Sequence, residues 1–384
     1  MTKKTQVPFN KPYMTGNEVG YITDAHKAAS LAGDGQFTKL CHQWLEEQTR
    51  VSRALLTHSC TAALEMSAIL LDIQSGDEVI LPSYTFVSTA NAFVLRGATP
   101  VFVDIRPDTL NIDESLIDAA ITKKTKAIVP VHYAGVACQM DSIMAIANAS
   151  NLSVVEDAAQ GVMSSYNGQA LGAIGDLGAL SFHETKNVIS GEGGALLVRS
   201  EDLAERAEII REKGTDRSRF FRGQVDKYTW QELGSSFLPG DLIAAFLWAQ
   251  LEHAQDITNE RLAVWDRYHE MFESMELAGL ITRPTVPENC VHNAHMYYLL
   301  LAHGCDRQSV LKSMTEDGIN AVFHYVPLHS SPAGKRFGRV SGAMNQTDDL
   351  SSRLIRLPLW VGITAEMQLN VYDSVERALA CHRK

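Results

Sequence analysis

Between residues 53 and 198 the chain repeats one pattern: a short run rich in β-formers, then a stretch with helical spacing. The runs fall at 54–57, 78–81, 101–104, 127–130, 153–156, 179–182 and 195–198. Seven apolar runs with mostly helical connections predict an α/β fold whose seven-stranded sheet is mostly parallel and buried on both faces. The pattern also predicts where a ligand goes. Open sheets of this kind bind ligands beyond the carboxyl ends of their strands. Residues able to do chemistry fall at those ends: Ser59 after the first run, Asp157 after the fifth, Ser181 and Lys186 after the sixth.

Lys186 lies in Ser181-Phe182-His183-Glu184-Thr185-Lys186-Asn187, and Asp157 in Glu156-Asp157-Ala158-Ala159-Gln160. Taken singly, a lysine is usually a solvated charge, and an aspartate after a strand usually caps a helix. Together they are the two groups that pyridoxal phosphate chemistry requires. One is an amine that forms a Schiff base with the aldehyde; the other is a carboxylate that keeps the pyridine nitrogen protonated. Ser59 and Thr61 open a helix, where free N–H groups and the helix dipole suit a phosphate, and Ser59 also suits an N-cap. No glycine-rich dinucleotide or P-loop pattern is present there. Phe86 follows the second run; it either lies flat on a cofactor ring or packs in the core. His183 either borders the cofactor or is structural, and Gly191-Glu192-Gly193-Gly194 either turns sharply or approaches a ligand closely.

The chain has 384 residues and a formal charge of −11, with 45% hydrophobic and 21% charged residues. That length predicts two domains, a large one over residues 1–255 with a connector helix and a small α+β one over 256–384. The connector reads as helical from Asp241 to about Met275. The acidic balance disfavours nucleic acid and anionic membranes as partners. An anionic ligand therefore needs local cations, and the run 211–227, with Arg211, Lys213, Arg217, Arg219, Arg222 and Lys227 against three acidic residues, is the candidate. The cysteines (Cys41, Cys60, Cys138, Cys290, Cys305, Cys381) are scattered, which predicts reduced thiols and no zinc or other metal site. The start of the chain lacks the apolar core of a signal peptide, so a cytoplasmic protein is expected.

Four segments carry a resemblance: Ser59-Cys60-Thr61-Ala62-Ala63-Leu64, Thr85-Phe86-Val87-Ser88-Thr89-Ala90-Asn91-Ala92, the Asp157 motif, and the Lys186 motif with its following glycines. In order and spacing, from Pro8 to Leu359, the chain resembles the DegT-type sugar-nucleotide aminotransferases. The resemblance implies the aspartate aminotransferase fold (fold type I) and a homodimer with active sites at the subunit interface. It implies Lys186 as the amine linked to pyridoxal 5'-phosphate and Asp157 as the partner of the pyridinium nitrogen. Gln160 would approach the cofactor's ring, Phe86 would stack on it, and His183 would border it. Ser59, Cys60 through its backbone, Thr61 and Ser181 would hold the phosphate. Many relatives carry G-Y-N-Y-R-M where this chain has Gly234-Ser235-Ser236-Phe237-Leu238-Pro239; Ser236 replaces an asparagine that reaches the partner subunit's cofactor.

Longer matching stretches, 131–138 and 211–230, imply one branch of the family. That branch transfers the amino group of L-glutamate to C4 of dTDP-4-keto-6-deoxy-D-glucose, giving the galacto amine used in enterobacterial common antigen. His324, Tyr325 and His329 would border the sugar, or serve structural hydrogen bonds. The gluco epimer, a 3-keto sugar and a UDP carrier are the near alternatives. Lysine rather than histidine at 186 favours transamination over the family's dehydratases.

Overall fold

The computed structural model describes residues 6–380; Cys381 and the start of the chain lie outside the described residues. The strands in chain order begin with β1 (Arg53–Thr57), β2 (Glu78–Pro82), β3 (Thr99–Val103), β4 (Thr125–Ile128) and β5 (Ser153–Asp157). A short hairpin, β6 (Ser165–Tyr166) and β7 (Gln169–Ala170), precedes β8 (Leu177–Ser181) and β9 (Gly194–Val198). The C-terminal part adds β10 (Ile281–Thr282), β11 (Cys290–Val291), β12 (Tyr297–Leu301), β13 (Arg339–Val340) and β14 (Leu354–Leu357).

The main sheet has the order β1-β9-β8-β5-β4-β2-β3-β13. All seven expected strands are in it, and β13 pairs parallel with β3 to add an eighth. The sheet is mostly parallel; β9 alone runs against its neighbours β1 and β8. Side chains alternate along each strand, and the alternation sorts the sequence into two cores. Leu56, Ile80, Val101, Val103, Ile128, Val154, Leu180 and Leu197 face one helical layer. Leu55, Val79, Leu81, Phe102, Val129, Val155, Ala179, Leu196 and Val198 face the other. Burial on both faces explains why these runs read as nearly continuous apolar stretches.

The expected connector is helical but broken, into Asp241–Leu251, Ala254–Met271 and Glu273–Leu277. The first break falls at His253 (φ −110°), with neither proline nor glycine to mark it. Val264, Trp265 and Tyr268 of the middle helix join a third core with Tyr297, Leu299 and Leu301 of β12. The alternate β12 residues, Tyr298 and Leu300, turn to a fourth cluster with Tyr84, Tyr133 and Leu354. The small sheet β10-β12-β14 thus shows one face to its own helices and the other to the carboxyl edge of the main sheet. No described helix is long and apolar enough to cross a membrane.

Candidate active site

A cavity of about 440 Å³ opens at the carboxyl edge of the main sheet. On one side Ser59 sits in extended conformation at the N-cap of the helix Cys60–Leu70. Its Oγ accepts the Ala62 N–H at 3.1 Å, and the Thr57 hydroxyl donates to its carbonyl at 2.7 Å. The Thr61 and Ser88 hydroxyls lie 2.7 Å apart. Strand β9 passes hard against this turn: a Cβ on Gly194 would lie 2.4 Å from both Ser59 C and Cys60 N, so only glycine fits. Ser181, the register partner of Gly194, completes the rim. The result is a helix N-terminus ringed by hydroxyls, a geometry that receives a phosphate.

Asp157 ends β5 and is buried. Its Oδ2 accepts from Thr89 Oγ1 at 2.7 Å and its Oδ1 from the Ala159 N–H at 3.1 Å. Thr89 is set in turn by Thr85, one helical turn earlier, at 2.8 Å. The preceding residue, Glu156, points to the opposite face and does a different job. Its carboxylate accepts the N–H groups of Gly172, Ile174 and Gly175 at 2.9, 2.6 and 2.6 Å. His132 Nδ1 accepts the Cys138 N–H, which leaves Nε2 protonated to donate to Glu156 at 2.8 Å.

Lys186 follows β8, its backbone N–H tied to the His183 carbonyl at 2.9 Å, and its side chain lines the cavity. Burial lowers its pKa from the usual lysine value; the Asp157 charge opposes that shift and the Arg356 charge adds to it. A lysine so placed has more of the neutral, nucleophilic amine at a given pH. Burial pushes the neighbouring Cys60 thiol well up, so it stays protonated. Gln160 accepts the Ala134 N–H at 2.7 Å and donates to the Tyr325 hydroxyl at 3.0 Å. The Phe86 ring is 55% exposed at the cavity mouth, 6.3 Å from Tyr325. Such exposure sets aside the core reading and leaves the ring face open to a ligand. His183 lines the cavity beside Thr185 and Glu192, at 2.9 and 3.7 Å.

One expectation is corrected. The run 211–227 is not a free cationic surface: Arg211 pairs with Asp34, Lys213 and Arg217 with Glu212, Arg219 with Glu205 and Arg222 with Glu208. Its excess charge is an artefact of counting along the chain, since Asp34, Glu205 and Glu208 lie outside the run. His329 is structural, held by Ser83 at 2.7 Å and facing Asp348 at 3.3 Å. Ser236 is exposed and does not line this chain's cavity. His324 and Tyr325 do line it, His324 taking the Tyr133 hydroxyl at 2.7 Å. Phe9, His295 and Arg356 line it too, and the sequence reading gave none of them a role in the site, although Phe9 and Arg356 stand in the end segments of the resemblance.

The donor set fits pyridoxal phosphate. A phosphate-sized N-terminus, a fixed buried carboxylate, a pKa-lowered lysine and an uncovered aromatic ring converge on one cavity. The signature of the DegT/DnrJ/EryC1/StrS aminotransferase family matches residues 12–376. The spore coat polysaccharide biosynthesis protein SpsC of Bacillus subtilis is 33% identical, with 96% of each chain covered. The GDP-perosamine synthase of Caulobacter vibrioides is 33% identical, over 86% of this chain and 88% of its own. A candidate sugar aminotransferase of Streptococcus pneumoniae, solved in its PLP form, superposes with a TM-score of 0.89 at 25% identity, covering 99% of this chain and 100% of that one.

Proposed function

This chain belongs to the DegT/DnrJ/EryC1/StrS aminotransferase family, and from its membership we propose the finer reaction. It is a PLP-dependent sugar aminotransferase. The proposed reaction moves the amino group of L-glutamate to C4 of dTDP-4-keto-6-deoxy-D-glucose. The products are 2-oxoglutarate and dTDP-4-amino-4,6-dideoxy-D-galactose, for a cell-surface polysaccharide. The observation that carries the site assignment is the pairing of Lys186 with the fixed Asp157 in one cavity.

PLP, when bound, supplies an aldehyde that takes the amino group and a ring that accepts the electron pair left as the donor's Cα proton departs. The Ser59–Thr61 turn and Ser181 would hold its phosphate, Asp157 would pair with its ring nitrogen, and Phe86 and Gln160 would contact its ring. His183 borders the rim. Lys186 Nζ takes the proton from the donor Cα and later delivers a proton to the sugar carbon. The face to which Lys186 delivers it decides galacto or gluco. His324 and Tyr325 border the sugar. In this reading residues 1–255 hold the cofactor and 256–384 close the substrate side. A homodimer brings Ser236 to the partner's site.

The test is the visible spectrum of the protein loaded with pyridoxamine phosphate, before and after adding dTDP-4-keto-6-deoxyglucose. Return of the yellow colour, with NMR of the product showing an axial C4 amine, is expected. No colour with this sugar, but colour with a GDP-linked 4-keto sugar, would move the substrate. The 33% identity to a GDP-perosamine synthase puts that sugar second.

A further inference from the structure

Residues 293–295 tie the C-terminal wall to both segments that carry the cofactor chemistry. The Asn293 side chain donates to the Gln160 and Val162 carbonyls at 2.8 and 2.7 Å. Arg261, buried on the helix Ala254–Met271, gives its N–H groups to the Ala294 and His295 carbonyls at 3.2 and 2.8 Å. Asn187, the residue after Lys186, donates from Nδ2 to the Asn293 carbonyl at 2.7 Å. His295 is held in place from three directions.

The same network fixes which nitrogen of His295 carries hydrogen. Because Asn187 Nδ2 is turned to Asn293, its Oδ1 faces His295 Nδ1 at 3.0 Å, and an amide oxygen only accepts. Nδ1 is therefore the donor. A second proton is refused: burial, with the charges of Lys186, Arg356 and Arg261 adding to it, pushes the imidazole pKa well below its usual value. The ring stays neutral, and Nε2 keeps a bare lone pair. His295 lines the cavity beside Lys186 and Gln160, and no hydrogen bond reaches Nε2 among the described residues.

The neighbouring groups of this wall have the opposite character. Tyr325 accepts from Gln160 Nε2 and keeps its own O–H to give. His324 Nδ1 takes the Tyr133 hydroxyl, which leaves Nε2 of that ring protonated. The two substrates differ in the same terms. L-Glutamate offers carboxylates, which only accept, and its amine is the group it transfers. A keto sugar offers hydroxyls, which donate. A bare acceptor next to Lys186, where the reacting carbon must come, answers the sugar, and the hydroxyl nearest a reacting C4 is the one on C3.

We propose that His295 Nε2 accepts a hydrogen bond from the sugar hydroxyl next to the reacting carbon and so selects keto sugars that carry it. The inference rests on the transaminase reading above. A sugar without that hydroxyl strands a buried acceptor, which a site built for hydrogen bonding rejects strongly. The other donor within the cavity is the Lys186 amine itself. The two are separable because Lys186 works in both half-reactions and the sugar in one.

The experiment compares wild-type, His295→Asn and His295→Gln holoenzyme in each half-reaction by stopped-flow absorbance. Asparagine keeps the donation to Asn187 and deletes the acceptor at the cavity; the longer glutamine returns one. dTDP-4-keto-6-deoxyglucose and dTDP-4-keto-3,6-dideoxyglucose are each added to the pyridoxamine form, and L-glutamate to the pyridoxal form. Wild type is expected to use the 3-deoxy sugar about 10²-fold less efficiently. His295→Asn should lose about as much with the full sugar and treat the two sugars alike within about threefold, while its glutamate half-reaction stays within about threefold of wild type. His295→Gln recovers part of the loss and of the preference. A loss in both half-reactions would assign Nε2 to Lys186, and a preference for the full sugar that survives in His295→Asn would place the reader of the hydroxyl elsewhere; either overturns the proposal. If His295→Asn does not fold, His295→Gln and the wild-type comparison decide it. If wild type converts neither L-glutamate nor any keto sugar, the transaminase reading itself fails; if wild type converts both sugars equally well, only the role of His295 does.

Discussion

The two walls of the cavity are built differently. On the sheet side nearly every polar group has a protein partner: Ser59 with Ala62, Thr61 with Ser88, Asp157 with Thr89 and Ala159, Gln160 with Ala134 and Tyr325. On the C-terminal side Arg356 keeps an unpartnered Nε, and burial holds His295 and His324 neutral. Rigid, satisfied groups suit a ligand that stays, because orientation is set before it arrives. A wall with an unpaired charge suits ligands that come and go, since each must bring the missing partner. In the proposed reading the resident cofactor and the exchanging substrates divide along that line.

The comparison breaks most completely at Lys186, which both walls serve. Lys186→Ala should lower turnover by about 10³-fold or more while circular dichroism shows an intact fold, because proton transfer is lost to both substrates. Next in size, Glu156→Ala should destabilise the sheet side by about 3–5 kcal/mol in urea melts, since it strands three buried N–H groups and His132.

Asp157→Asn keeps the shape but not the charge. It should cost about 10²-fold in both half-reactions alike. Gly194→Ala places a methyl 2.4 Å from the Ser59–Cys60 backbone. About 1–3 kcal/mol of stability should go, and the rise in melting temperature on adding PLP should shrink, because the displaced turn is the proposed phosphate seat.

The smallest effect lies in the third core. Burial, with the nearby His269 adding to it, lowers the His292 pKa from 6.5 to about 4. The folded state therefore refuses a proton that the unfolded chain accepts between those values. Stability contributed by neutral His292 is present above about pH 6.5 and is lost as the pH falls toward about 4. His292→Phe should flatten that part of the curve in urea midpoints measured at about pH 7.5 and about pH 5, leaving the cofactor site untouched.

The sheet was legible because burial on both faces writes itself as apolar runs, and strand ends carry the chemistry of this fold class in contiguous segments. Asp157, Ser59 and Lys186 sit one, two and four residues past such a run. The C-terminal wall was hidden for the opposite reason. Phe9, His295 and Arg356 come from segments far apart in the chain, and each looks unremarkable locally. Arg356 is legible only once β14 is paired to β12, since its facing depends on register. The run 211–227 misled because ion pairs form in space: the carboxylates at 34, 205 and 208 lie outside the window in which its charge was counted. The two-residue strand β13 and the break at His253 left no composition signal at all.

The central claim is that Lys186 is the residue that joins the cofactor. The most direct measurement is borohydride reduction of the PLP-loaded protein followed by proteolysis and peptide mass spectrometry. The expected result is one phosphopyridoxyl group, on the peptide containing Lys186, and none in Lys186→Ala. Label on another lysine, or a protein that takes up PLP without reducible attachment, would contradict the account.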